Sequence, residues 1–296
     1  MLLNCSRQGY YQGIKYIQQK TYEAEIIIAE VLKYRVLQKH IGTRKLLGEM
    51  GVFLQNHGFQ IGRDAFFGLL SDCGLLVVKQ KQKGCITTFS KHRYKKYPNL
   101  INGFIPLAAN QLWVSNITYI HVGVGFAYLS LITDAYSHKI VGFCLCTSLK
   151  AEGPFQALKM ALAGAEDVSN LIHHSDRGVQ YCCDEYVKLL EDNAVRISMT
   201  ENGDPLENSV AERLNGILKT ELLEHKYLNF TAAQKAIAVA ISTYNFLRPH
   251  NSINDLKPVE AHLLTGEIPK KWKNYYQINK KKKPACSVGR EAMMVK

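Results

Sequence analysis

The sequence contains no run of 18 apolar residues, which excludes a membrane-spanning helix. None of its eight cysteines (Cys5, Cys73, Cys85, Cys144, Cys146, Cys182, Cys183 and Cys286) forms a C-x-x-C pair. That argues against a zinc ribbon and for a reducing cytosol. The opening Met1-Leu2-Leu3-Asn4-Cys5 turns polar too soon for a secretory leader. What is present is ordinary globular material: 296 residues, 47% hydrophobic and 21% charged. This length suffices for two or more cored units.

Charge is unevenly distributed. The net of +12 resolves into +10 over residues 1–105, −7 over 106–225, +1 over 226–269 and +8 over 270–296. Basic flanks suit a polyanion, and nucleic acid is the obvious one. The acidic middle is either a solvated surface or a store of oxygen ligands for hard divalent cations.

Residues 1–78 read as helical. Tyr22–Lys39 carries apolar residues at helical spacing (Ile26, Ile27, Val31, Leu32), and His40-Ile41-Gly42 interrupts it. Thr43 is the expected N-cap of a helix over Arg44–His57, Gly58 stops it, and a further helix runs from Ile61 to about Cys73. The pair fits a helix-turn-helix that would present Arg44, Lys45 and Arg63 to DNA, or a plain helical hairpin. Residues 79–106 read as a linker. Its basic residues, Lys79, Lys81, Lys83, Lys91, Arg93, Lys95 and Lys96, lie along phosphates or in an ordinary solvated loop.

From residue 107 to 225 the period changes. Leu112–Ile120, Phe126–Thr133 and Lys139–Cys146 read as an antiparallel meander. A helix over Gly153–Ala165, a strand over Leu171–His174, a helix over Tyr181–Asp192, a strand over Ala194–Met199 and a long helix over Leu206–Leu222 follow. This α/β element order is that of ribonuclease-H-like folds. Residues 226–269 read as a C-terminal helical extension, with Thr231 capping a helix to about Phe246. Residues 270–296 form a Lys-rich tail that is expected to be flexible.

Asp176 directly follows the strand that ends at His174, a place where α/β sheets present side chains to a crevice. Glu212 follows with 35 residues between. At 100° per residue it shares a polar stripe with Asn208, Asn215 and Lys219, opposite Val210, Leu214, Ile217 and Leu218. Glu212 is thus free to reach a metal or DNA, or is simply solvated. Glu221 falls on the apolar side, where nothing in the sequence explains it. His173 and His174 alternate across a strand, so one is expected in the core and the other beside the site. Cys144 and Cys146 share a strand face and are expected to pack as hydrophobes. Trp113 and the tyrosines are expected in the core. Arg248 and His250 follow a helix end, where phosphate contact is expected.

Several segments together resemble the integrase-core (DDE) transposases of bacterial insertion sequences, specifically the second-frame protein of the insertion-sequence-three family. They are Trp113-Val114-Ser115-Asn116-Ile117-Thr118-Tyr119, His173-His174-Ser175-Asp176-Arg177-Gly178-Val179-Gln180-Tyr181, the helix Asn208–Lys219, and Tyr244-Asn245-Phe246-Leu247-Arg248-Pro249-His250. The opening Ser6-Arg7-Gln8-Gly9-Tyr10-Tyr11 is similar to the start of that second frame. The resemblance implies a retroviral-integrase-like catalytic core, with 3′-end DNA cleavage and strand transfer by two Mg²⁺ ions, or Mn²⁺ in their place. It implies double-stranded DNA partners, namely terminal inverted repeats and target. It also implies a homo-oligomer on DNA, an upstream-frame helix-turn-helix and leucine-zipper portion, and a cytoplasmic, nucleoid-associated location.

The resemblance assigns Asn116, Asp176 and Glu212 to the three catalytic, metal-holding positions. It adds Arg177 to the DNA-facing residues Lys91, Asn208, Asn215, Lys219, Arg248 and His250. Position 116 departs from the pattern, because an Asp belongs there. Asn keeps the shape and one carbonyl ligand but removes a charge, so a second Mg²⁺ should bind poorly and catalysis should be impaired. Asn116 fits either a replacement introduced to hold DNA uncut or a natural change, and the intact motifs favour the first. A decayed, non-catalytic DNA-binding repressor and a ribonuclease-H-type nuclease are the rival expectations. Asp134, which ends the second strand, is expected to be a turn residue.

Overall fold

The computed structural model describes residues 6–78, 92–201 and 209–271. Lys79, Lys81, Lys83, Lys91, Asn208 and the Lys280–Lys283 run lie outside them. Helix α1 (Arg7–Leu37) begins where the Ser6 hydroxyl accepts a hydrogen bond from the Gly9 N–H at 3.1 Å. Only Ile27 and Val31 are buried along it. Apolar spacing therefore exposed the docked end to sequence reading and not the exposed first half. Helices α2 (Thr43–Glu49), α3 (Gly51–Asn56) and α4 (Arg63–Asp72) enclose a small core of Ile41, Leu46, Met50, Phe66 and Leu70. Gly42, not Thr43, is the N-cap of α2, and the Thr43 side chain is buried in the first turn.

Five strands form one sheet in the order β3-β2-β1-β4-β5. Strands β1 (Leu112–Val122), β2 (Gly125–Asp134) and β3 (Ile140–Cys146) make the expected antiparallel meander. Strands β4 (Ile172–Ser175) and β5 (Arg196–Met199) extend it in parallel from the other edge of β1. Alternation along β1 divides the core. Trp113 and Ile117 meet helix α5 (Glu152–Ala163) through Ala157 and Leu158, and helix α7 (Asp184–Asp192) through Tyr186 and Leu190. Leu112 and Val114 meet Ala211 of helix α8 (Ser209–Ile217). Ile120 joins Leu214, Ile237, Ile241 and Tyr244, the last three from helix α9 (Phe230–Phe246). This is the helix–sheet–helix layering of a ribonuclease-H-like fold, with a helical region before it and a helical extension after it.

Three elements differ from their expected form. The helix expected over Tyr181–Asp192 breaks at Cys183, whose extended backbone separates α6 (Val179–Cys182) from α7. The α-helical period after Asn208 ends at Ile217, and Leu218–Leu222 forms a π-helical turn closed by the Leu223 N–H donating to the Leu218 carbonyl at 2.8 Å. Asn229, not Thr231, caps α9, its side chain accepting from the Ala232 N–H at 2.8 Å.

That π turn anchors the N-terminal unit. Glu221 receives both arms of the Arg248 guanidinium, at 2.8 and 2.9 Å, and the Lys45 ammonium at 3.5 Å. Its carbonyl accepts from the His40 N–H at 3.3 Å, and Lys39 pairs with Glu224 nearby. Burial alone would raise the Glu221 carboxyl, but Arg248 and Lys45 outweigh it and hold the pKa below the ordinary value. Arg248 and His250, expected as surface residues after a helix end, are instead covered. Both are buried, Arg248 at 2% exposure, and the Arg248 guanidinium is committed to Glu221.

The contact of α5 with β3 is close. A Cβ on Gly142 would lie 2.1 Å from the Ala157 carbonyl oxygen. Gly142→Ala is therefore expected to push α5 off the sheet and lower stability in urea unfolding by about 2–3 kcal/mol. Glu221→Gln leaves the buried Arg248 without its carboxylate and is expected to cost about 3 kcal/mol in the same measurement. His173 is fully buried, with its Nε2 2.6 Å from the Ser115 hydroxyl and 2.9 Å from that of Tyr186. Burial pushes its pKa down to about 3. The folded ring stays neutral while the unfolded one protonates near 6.5, so this stability is present above pH 6.5 and drains as pH falls toward 3. The urea midpoint is expected to reflect roughly 1.4 kcal/mol per pH unit within that window, and His173→Gln to flatten the dependence.

Candidate active site

The parallel ladder of β1 and β4 pairs Leu112 with Ile172, Trp113 with His173 and Val114 with His174. Continued by two residues past the end of the ladder, the same register would carry Asn116 alongside Asp176. Both then lie on the sheet face that holds Leu112 and Val114, because side chains alternate with period two. Asp176 is the first residue beyond β4, and its Oδ1 accepts from the Gly178 N–H at 2.9 Å. A Cβ on Gly178 would stand 2.9 Å from that oxygen, so glycine permits this tight turn. The Asn116 amide oxygen accepts from the Ile117 N–H at 2.8 Å.

Glu212 reaches the same face differently. Its neighbours Ala211 and Val210 pack against Leu112, Val114 and Ile172, so α8 lies across β1 and β4. Glu212 itself is exposed on the flank of the helix. There it also lines a cleft of about 850 Å³ shared with His40, Thr43, Lys45 and Phe67 of the N-terminal unit. The observed β1–β4 ladder ends at Val114 and His174; extended by two residues it would align Asn116 with Asp176, and α8 carries Glu212 on a separate element. Among the described residues no three His, Cys, Asp or Glu side chains gather as a metal cluster. With Asn at 116, only two of the three positions carry such a side chain. Two carboxylates and an amide oxygen suit a hard divalent cation, and that donor set fits one such ion better than two.

The other candidates separate clearly. Asp134 is fully buried and accepts from the Asn110 N–H and from the Ser137 N–H and hydroxyl, each at 2.8 Å. It is a turn residue, as expected. His173 and His174 point to opposite faces, yet both are buried, and His174 Nδ1 lies 2.9 Å from the Ser198 hydroxyl. The expectation that one lines an open site is corrected, because β4 is covered on both faces. Cys144 and Cys146 stand 3.7 Å apart at their sulfurs, and burial pushes the Cys144 thiol up to about 12.

Among the basic and polar candidates, Arg44, Arg93, Lys95 and Lys96 are exposed, and Arg63 is exposed but paired with Asp64 at 2.8 Å. Lys95 sits 4.9 Å over the Tyr97 ring. Arg177 is half-buried beside Asp176, and the imidazole of His92 lies 2.9 Å from its carbonyl. Lys219 is half-buried on the Glu212 side of the helix. Asn215 is buried, correcting its place on the polar stripe, because it borders the sheet-facing side with Ala211 and Leu218. Sequence reasoning missed the Lys45–Glu221–Arg248 cluster. Its one signal was Glu221 itself, since an acid on an apolar helix face implies a buried cation partner.

Two models of the integrase core domain match the chain, over residues 106–205 and 193–258. An uncharacterized 31 kDa protein of insertion element IS600 from Shigella sonnei is 34% identical over 262 residues, covering 87% of this chain and 94% of that protein. A putative transposase for insertion sequence element IS986/IS6110 from Mycobacterium tuberculosis is 28% identical, covering 77% and 86%. The transposase InsF for insertion sequence IS3fB from Escherichia coli is 28% identical, covering 63% and 66%. Among solved structures, the catalytic core domain of HTLV-2 integrase, in complex with magnesium, aligns with a TM-score of 0.42 at 17% identity, covering 53% of this chain and 99% of that one. The sequence motifs, the integrase-core matches and the insertion-element relatives converge: the chain belongs to the integrase-core (DDE) transposases of insertion sequences, in the IS3 family.

Proposed function

We propose that Asn116, Asp176 and Glu212 occupy the three catalytic positions of a DNA-end-processing site, and that Asn116 impairs it. The observation that supports this reading is the β1–β4 register, which, continued two residues past Val114 and His174, would align Asn116 with Asp176. Asp176 and Glu212 would hold a divalent cation, Mg²⁺ or Mn²⁺, with the Asn116 amide oxygen as a neutral third ligand. Such ions, when bound, activate an attacking oxygen and stabilise a leaving one. The residues of this chain hold the carboxylates in place. Gly178 fixes Asp176 through its N–H, and Ala211 seats α8 on the sheet. The single charge lost at position 116 removes the ligand best placed to support a second ion.

The substrate in this reading is double-stranded DNA at the terminal inverted repeats of an insertion sequence, cleaved at its 3′ ends and then joined to target DNA. The chain works in the cytoplasm at the nucleoid, as more than one copy on DNA and together with an upstream-frame helix-turn-helix and leucine-zipper portion. The basic flanks support the DNA partner. Asn116 also supports a second reading, a DNA-binding repressor without catalysis.

Cleavage of a labelled terminal-repeat duplex separates the two readings. The chain as it stands is expected to bind that duplex and barely nick it with Mg²⁺ or Mn²⁺. Asn116→Asp is expected to restore metal-dependent nicking by at least about a hundredfold, the scale of losing a positioned catalytic group. Adding Glu212→Gln to that variant should abolish nicking again. If Asn116→Asp stays inert while the duplex still binds, the repressor reading holds. If the unchanged chain cuts as well as the variant, position 116 is not the first catalytic acid.

A further inference from the structure

A second cavity, of about 540 Å³, lies where the N-terminal unit meets the core. Its walls include Lys45 from α2, Ser209 and Arg213 from α8, Tyr244 from α9, and Arg248 and His250 beyond α9. Three of these are formal cations. The carboxylate beside them is Glu221, and Arg248 already takes both of its oxygens. Among the described residues, no carboxylate pairs with Arg213. The crowding has measurable consequences. Burial, then the charges of Arg248 and Arg213, draw Lys45 down to about 8 despite Glu221. Burial, followed by the charges of Arg248, His138, Lys45 and Arg213, drives His250 far below its ordinary value.

Two buried polar atoms in the same wall, the Tyr244 hydroxyl and His250 Nε2, have no hydrogen-bond partner among the described residues, and both residues are more than nine-tenths buried. A protein does not gather like charges and unpaired polar atoms around a cavity for stability, because both cost free energy. The arrangement suits an anion with several acceptor oxygens, and the volume leaves room for a sugar beside a phosphate. The position is also informative. Arg213 follows Glu212 directly in α8, so a group bound here would lie one residue along the helix from the third acid position.

We propose that this cavity is a phosphate-binding subsite, with Arg213 and Lys45 as the residues that meet the phosphate and Arg248 as the fixed charge behind them. It joins the N-terminal unit to the core, so one bound phosphate ties both to the ligand. The phosphate comes either from a DNA backbone or from free phosphate. The first source rests on the function proposed above, and the site itself does not.

Arg213→Gln is the discriminating variant. Arg213 is exposed and has no ion pair among the described residues, so the variant should fold, and relief of its repulsion with Lys45 and Arg248 should raise the Tm of the ligand-free chain slightly. Thermal unfolding of the full chain is followed with the dinucleoside phosphate dTpT and, separately, with inorganic phosphate. Duplex binding is followed by anisotropy across a salt series. Either small ligand should raise the Tm of the unchanged chain, by mass action on the folded state, and not that of Arg213→Gln. If DNA is the source, Arg213→Gln should lower the slope of log affinity against log salt by about 0.9 and weaken duplex binding roughly eightfold near 0.1 M salt. A phosphate-dependent Tm rise with an unchanged duplex slope supports the subsite and assigns it to free phosphate. A chain that binds phosphate through Arg213 but no duplex supports the subsite and removes the DNA reading. Equal Tm shifts in both proteins, or none in the unchanged chain, would overturn the subsite.

Discussion

The parallel pairing of β1 with β4 is the contact on which the site depends. Strands β1, β2 and β3 are contiguous in the chain and pair through short turns, so the meander is locally determined. Strand β4 returns from a distance through α5, and its three-pair ladder on β1 carries the junction. A slip of one residue would turn Asp176 to the opposite face. Several features hold the register. Trp113 and Ile117 bury against α5 and α7 on one side. Leu112 and Val114 bury against Ala211 on the other, where a small residue allows α8 to lie close. His173 is tied to Ser115 and Tyr186, which links β4 to β1 and to α7 through one imidazole.

The second constraint is electrostatic and belongs to α8 and its π turn. An α-helix continued through residue 222 would leave Glu221 on the apolar side. The wider turn changes its phase, and Glu221 meets Arg248 and Lys45 instead. One carboxylate thereby connects the N-terminal unit, the helix of Glu212 and the segment after α9. The cations gathered around it exceed what it can neutralise, which sets this seam apart from an ordinary buried ion pair. An excess of one sign beside a cavity is a cost in the free chain that a bound anion offsets.

Much of this was legible in sequence because the signals were local. Alternating apolar residues with short polar turns marked β1, β2 and β3. The carboxylate after a short apolar strand marked Asp176, and the polar flank of an amphipathic helix marked Glu212. The missed features depend on partners remote in sequence. The exposed half of α1 has no apolar stripe, so periodicity revealed only its docked end. The break at Cys183 separates two segments that each have good helical pattern. Arg248 and His250 looked like surface residues after a helix end, and their burial follows from Glu221, 27 residues away. Asn215 shared the polar phase of Glu212, but is buried, one helical turn on from the buried Ala211.

In the proposed site, Asp176 and Glu212 share one cation beside position 116. The most direct measurement is anomalous scattering from crystals of the full chain soaked in Mn²⁺. A peak is expected at coordination distance, roughly 2.0–2.2 Å, from a carboxylate oxygen of each of Asp176 and Glu212, with the Asn116 amide beside it. A Mn²⁺ peak bound by Asp176 without Glu212, or lying elsewhere in the chain, would contradict it.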